Sequence, residues 1–245
     1  MLVRFLSLLW IALPFCAEGA LPEHDPDEGT LASGRLGIPE PMVYDLVRPL
    51  GAPKGELEIN SLFLRPLSRG QSLQWAPEIE YTFAQGHGIE FEVPAEGGSI
   101  ESFKLAVQGT VFALGREKTI WGWQVLAERW GHEKRWKGDF LLLNGVRWSS
   151  RWSTFSMLGP RRERASAHTA SALVWNQSVF HHTARTFSVG VESNLASRGA
   201  SGGAWLVTPQ VTWRRSRYNF QAGAGMRQSE QRRRPLLAWR ISREF

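Results

Sequence analysis

Glutamate recurs at every second position in two stretches of this sequence, Glu78 with Glu80 and Glu90 with Glu92; Glu58 precedes them and Glu101 follows. Side chains two apart share one face of an extended strand, so these carboxylates project together. Crowded carboxylates repel one another unless cations intervene. Lys104, Arg147 and Arg240 stand at the same kind of alternating position and are candidate partners. One reading is a polarised lining that biases the passage of cations or polar solutes. The other is an internal ion-pair network that fills a narrow space, and the supply of basic residues favours it.

Other chemistry is sparse. His181 and His182 are adjacent, so on a strand they point to opposite faces and do not form a joint metal site. Asn176, Ser178 and His168 share a neighbourhood, but such polar residues are routine inside a barrel. The chain has no glycine-rich phosphate loop, no CxxC pair and no HExxH. The expectation is no enzyme, no metal and no cofactor.

The elements that must position these groups have a period of two. Leu57, Ile59 and Phe63 alternate with Glu58 and Asn60, and Trp75, Ile79, Tyr81 and Phe83 alternate with Glu78, Glu80 and Thr82. A helix would scatter these apolar residues around its axis, whereas a strand sorts them onto one face. The pattern predicts twelve strands, near 55–66, 72–84, 87–94, 100–113, 117–131, 136–149, 152–163, 168–180, 184–194, 204–215, 217–228 and 233–245. Two of them, 136–149 and 152–163, are less regular, because Leu141, Leu142 and Leu143 run together. Short connections near 85–86, 114–116, 150–151, 181–183 and 216 lie at one end, and slightly longer ones lie at the other.

The first residues read as an export signal. Arg4 is the positive start, Phe5 to Phe15 is an apolar run, and Ala17 and Gly19 fit a cleavage after Gly19. Phe15 and Pro14 before Cys16 argue against a lipid-modified cysteine. Cleavage would remove that single cysteine, so the mature chain would form no disulfide. Residues 20–54 form an acidic, Pro/Gly-rich extension. Within it 41–51 is more apolar and could dock in a lumen or on a rim. The barrel itself is expected over 55–245.

A mean hydropathy of −0.27 excludes a helical membrane protein but suits a barrel with one wet face per strand. The net charge of +6 invites a nucleic-acid reading, which export and the lack of any binding motif exclude. Closure removes the exposed edges of so large a sheet, and tryptophans near predicted strand ends suit interfacial girdles. The fold expected is all-β, a closed antiparallel transmembrane β-barrel of about twelve strands. Lys134, Arg135 and Lys137, then Arg161, Arg162 and Arg164, then Arg232, Arg233 and Arg234 fall in predicted outward loops. Guanidinium pairs bidentately with phosphate, so contact with lipopolysaccharide is expected there.

The carboxyl end resembles the outer-membrane sorting signal, with Phe245 preceded by Ile241, Trp239 and Leu237 two apart. Arg243 departs from that pattern. The resemblance implies recognition by barrel-assembly machinery and periplasmic chaperones. Residues 40–60, EPMVYDLVRPLGAPKGELEIN, and 73–94, LQWAPEIEYTFAQGHGIEFEVP, resemble a family of proteobacterial outer-membrane barrels. That family is related in style to the phenol-degradation (meta-cleavage pathway) transporters. The likeness implies an outer-membrane location and passage of small, hydrophobic or aromatic solutes. The leading expectation is a narrow channel or passive transporter for small solutes. A structural barrel with a plugged lumen is second, and a lipid-modifying enzyme of the outer leaflet is third. Outer-membrane phospholipases use a His-Ser-Asn constellation, and no matching run stands near an exterior-facing strand.

Overall fold

A computed structural model describes residues 36–44, 46–114, 118–131, 134–165, 168–197, 203–229 and 232–245. The expected leader, and residues 20–35 and 45 of the acidic extension, lie outside these residues. The chain folds into β1 (Leu57–Pro66), β2 (Gln74–Ala84), β3 (His87–Glu92), β4 (Ala95–Glu96), β5 (Ser99–Ile100), β6 (Ser102–Leu114) and β7 (Thr119–Trp130). It continues through β8 (Arg135–Arg147), β9 (Trp152–Ala165), β10 (His168–Ala184), β11 (Phe187–Ala196), β12 (Ala204–Arg215), β13 (Tyr218–Ser229) and β14 (Arg232–Glu244). Strands β4 and β5 form a short ribbon on the end of β2. The other twelve pair antiparallel with their sequence neighbours, β3 with β6, and β14 returns to β1. The barrel is closed, so it has no free edge.

At the seam Glu58 lies opposite Glu244 and Phe63 opposite Trp239. The rings of Phe63 and Trp239 stack outside at 5.5 Å, and Trp75 continues the stack at 6.2 Å. Such cross-strand aromatic pairs stabilise and fix register. The outer face carries Ile79, Ile89, Leu105, Val125, Leu142, Leu158, Val191, Val207 and Leu237, all exposed. Trp121, Trp152, Trp213 and Phe220 ring one end, and Trp75, Phe91, Phe103 and Trp136 ring the other. An apolar belt between aromatic girdles is the surface a bilayer covers.

The polar face points inward. The end carrying Gln85–Gly86, Ser216–Arg217 and Phe245 is called the turn end below, and the opposite one the loop end. One boundary departs from the sequence expectation. A turn was expected at 181–183, but β10 runs on through both histidines to Ala184 and the turn falls at 185–186. His182 remains in the ladder because two serines of flanking strands bind its ring, Ser153 at 2.8 Å and Ser188 at 3.2 Å. His181 turns outward against Trp152, with ring centroids 4.6 Å apart.

The belt generates a direct prediction. Leu142→Arg places a cation near mid-belt on the lipid side, which costs about 2–4 kcal/mol of insertion. Heat-modifiable gel migration should show far less folded protein for this variant in vesicles, while Leu142→Val folds normally. Equal folding of both would contradict the lipid-facing assignment.

Candidate functional site

The lumen is occupied by the chain's own residues 36–44 and 46–52. These residues carry no regular secondary structure, so their backbone polar groups need partners from the wall. It begins at the turn end, where Arg147 Nη1 donates to the Gly37 carbonyl at 3.0 Å. Further in, Gln221 Nε2 donates to the Glu40 carbonyl at 2.8 Å, and Arg240 Nη1 to that of Pro41 at 3.2 Å. At the tip, the fully buried Glu192 carboxylate of β11 accepts three successive backbone N–H groups. Met42 is at 2.7 Å, Val43 at 3.0 Å and Tyr44 at 2.8 Å. Asn176 and Asn194 donate to the same carboxylate, at 3.0 and 2.9 Å.

The Tyr44 hydroxyl then donates to Asp139 Oδ2 at 2.8 Å and accepts from Arg161 at 3.0 Å. Arg161 grips Asp139 bidentately, at 2.8 and 2.6 Å. Burial pushes the Tyr44 phenol well above its ordinary range; Arg161 opposes this and Asp139 adds to it. The chain returns to the turn end at Arg48, which pairs with Glu58, with Glu56 at 2.8 Å and with Glu80 at 3.5 Å. Burial disfavours the Arg48 cation, but Glu58 and Glu80 outweigh it and hold its pKa above the usual arginine value. Gln108 closes the contact by donating to the Arg48 carbonyl.

The wall is shaped to receive this segment. A Cβ added at Gly122 would meet Leu50 at 2.5 Å, one at Gly145 would meet Ile38 at 2.9 Å, and one at Gly223 would meet Met42 at 2.9 Å. On the β7–β10 side Leu36, Leu46 and Leu50 pack on Ile120, Leu141, Leu143, Phe155, Met157, Val174 and Phe180. Leu141 and Leu143 point inward here and Leu142 outward. That explains the unbroken leucine run. On the opposite side Met42 seats in a collar of Leu206, Leu236 and Ala238, with Leu62 and Leu64 beside it. A cavity of about 210 Å³ lies at the turn end, between the segment and β12–β14.

Around the segment the predicted carboxylates come together. Glu58, Glu78, Glu80, Glu90, Glu92, Lys104 and Arg240 are all buried, and Arg147 is half-buried. Arg240 binds Glu78 at 2.8 Å and Glu80 at 3.6 Å; Lys104 binds Glu90 at 2.9 Å and pairs with Glu92. Oxygens of Glu78, Glu90 and Glu92 lie within 4.8 Å of one another. The cations answering them are these side chains. Glu101, at the loop end, is half-buried and lies outside the network.

Sequence reasoning missed Arg48, Asp139, Glu192 and the Glu128–Lys137 pair. Inward phase on a strand was the available signal for the last three. For Arg48 the signal was a cation in the apolar part, 41–51, of an acidic stretch.

The predicted lipopolysaccharide contacts divide by strand phase. Lys134, Arg162, Arg164, Arg232 and Arg233 are exposed at the loop end. Arg135 and Arg161 do not face the lipid, nor does Lys137: they turn inward to Glu163, Asp139 and Glu128. Arg234 also takes the inward phase of β14 and reaches Gln71 at 3.2 Å. Loop assignment gave these residues an outward side, but β8, β9 and β14 extend through them and the two-residue alternation decides. His168 is exposed at the loop end, whereas Asn176 and Ser178 are buried beside Glu192, so the structure does not bring them together as a set. Leu237, Trp239 and Ile241 face outward with Phe245, whose N–H donates to the Leu57 carbonyl at 2.9 Å. The Arg243 guanidinium lies 4.5 Å over the Phe245 ring and 5.5 Å over that of Tyr218.

No family model matches this sequence, and no curated protein sequence does. Solved structures do match in fold. The KdgM porin in complex with disordered oligogalacturonate superposes with a TM-score of 0.61 at 10% identity, over 77% of this chain and 99% of that one. The NanC porin gives 0.61 at 8% identity, over 76% and 98%. The COG4313 outer membrane channel from Pseudomonas putida F1 gives 0.58 at 11%, over 85% and 100%. The likeness is one of architecture: a closed antiparallel transmembrane barrel.

Arg240 tests the network. Arg240→Met leaves Glu78 and Glu80 buried without their main cation, a loss of about 3–5 kcal/mol for a broken buried pair. Urea unfolding of the refolded barrel should show a clearly lower midpoint. An unchanged midpoint would mean that the network does not stabilise the fold.

Proposed function

We propose that this chain is an outer-membrane channel for small solutes, closed by its own segment 36–52 and opened when that segment leaves the lumen. The observation that carries the reading is the seat of Met42. Among Leu206, Leu236 and Ala238 it fills the interior with a residue of the irregular segment rather than of the wall. On the turn-end side Gln210, Thr212, Asn219 and Gln221 line β12 and β13 with side-chain atoms that have no hydrogen-bond partner among the described residues. Such groups supply what a hydrated path uses. On the loop-end side lie Lys104, Lys137, Arg161 and Arg227.

Architecture supports the reading, since the solved structures that this fold resembles are named as porins and channels. The export signal read over residues 1–19 and the terminal strand around Phe245 support delivery to the outer membrane through assembly machinery and chaperones. Lys134, Arg162, Arg164, Arg232 and Arg233 are exposed at the loop end, which suits contact with lipopolysaccharide phosphates. The hydrophobic or aromatic solute class rests on the resemblance to the phenol-degradation transporters. Departure of the segment would uncover the apolar strip of Ile120, Leu141, Leu143 and Phe155, a surface suited to such solutes.

A second reading has its own support. The many anchors of the segment suit a permanently plugged, structural barrel. Planar-bilayer conductance separates the two. Glu192→Gln weakens charge-assisted hydrogen bonds worth about 1.5–3 kcal/mol, so the open fraction should rise roughly tenfold or more. Wild-type protein should show rare openings, and the variant frequent stepwise currents. Silence from both, with folding confirmed by heat-modifiable migration, would replace the channel with the structural barrel. Turnover of labelled phospholipid by the pure protein would instead favour the enzyme.

A further inference from the structure

Across the lumen six inward cations have a carboxylate: Lys104, Lys137, Arg48, Arg135, Arg161 and Arg240 are all in ion pairs. Arg227 is different. It is half-buried on the inward phase of β13, with no hydrogen bond or ion pair among the described residues. Its direct cross-strand partner is a second arginine, Arg234 of β14. Arg234 is half-buried too and holds a neutral amide, Gln71 Oε1 at 3.2 Å. Like charges directly opposite each other on neighbouring strands are destabilising. The carboxylate whose field reaches Arg227 is Glu96. That group already accepts from Gln74 Nε2 at 2.9 Å rather than from the arginine.

The surroundings sharpen the contrast. Arg227 lies opposite Leu206, and Leu236 is two residues along β14 from Arg234. Both leucines belong to the collar that holds Met42. Two guanidinium groups therefore stand at the loop-end mouth above an apolar floor. A low-dielectric floor strengthens their attraction for an anion, and two planar forks suit an oxyanion held bidentately.

We propose that Arg227 and Arg234 form a binding site for a small soluble oxyanion, a carboxylate or phosphate, in the loop-end vestibule above the Met42 collar. The bound anion neutralises two opposed cations that have no ion pair among the described residues. As a statement of solute class this rests on the channel reading; as a statement of binding it does not. Lipid phosphate offers the same chemistry, but both side chains take the inward phase, away from the lipid face.

Calorimetric titration of the refolded, full chain in an uncharged detergent at low salt tests the site, with succinate and inorganic phosphate as probes and uncharged succinamide as control. Succinate or phosphate should bind and succinamide should not, with affinity falling as salt is added. Arg227→Gln and Arg234→Gln should each weaken binding roughly tenfold, while Arg151→Gln at the turn end leaves it unchanged. If an arginine variant does not fold, the succinate–succinamide difference and the salt dependence of the wild-type protein decide. No binding of either anion, or equal binding in both arginine variants, overturns the proposal. So does arginine-dependent retention on lipid A vesicles without binding of the free anions. Conductance plays no part in this measurement, so a barrel that never conducts can still pass it, and a conducting one can fail it.

Discussion

The arrangement depends on one carboxylate. Glu192 is fully buried, and a buried charge is tolerated only where donors surround it. Three consecutive N–H groups of an irregular segment equally need an acceptor once they leave water. Each solves the other's problem at one point, between β11 and residues 42–44. Fixing the tip there puts Met42 in its collar, directs Tyr44 to Asp139, and brings Arg48 to the carboxylates of β1 and β2.

Those contacts explain the uneven interior. A barrel holding only water would have a uniformly polar inner face. This one has an acidic side on β1–β3, an apolar side on β7–β10 and a row of amides and hydroxyls on β12–β13. Each matches what the segment presents: Arg48 to the first, Leu36, Leu46 and Leu50 to the second, and the carbonyls of Glu40 and Pro41 toward the third and its neighbour β14. Wall and segment form one packed interior, and glycines at 122, 145 and 223 provide the space.

The sequence made the wall legible because strand alternation is local. The twelve strands and the shared phase of Glu58, Glu78, Glu80, Glu90 and Glu92 follow from period two, and sheet closure with the aromatic girdles turns that phase inward. What it concealed was long-range. Nothing near Glu192 in sequence marks it as the acceptor for residues 42–44, which lie about 150 positions away. The Leu141–Leu143 run looked like irregularity because the leucines of the N-terminal segment that cover its inner face are far off in the chain. Arg135, Arg161 and Arg234 occupy expected loop positions, yet β8, β9 and β14 extend through them and strand phase turns them inward. Arg243 breaks the apolar pattern of the terminal strand, yet its guanidinium lies on the aromatic rings beside it.

Amide hydrogen exchange of the folded barrel in a bilayer tests the central claim most directly. Exchange into the backbone of Met42, Val43 and Tyr44 reports whether Glu192 holds them. Slow exchange is predicted in the wild-type protein, with marked acceleration in Glu192→Gln while the strands remain protected. Immediate exchange of these three amides in a wild-type barrel with protected strands would contradict a segment seated in the lumen.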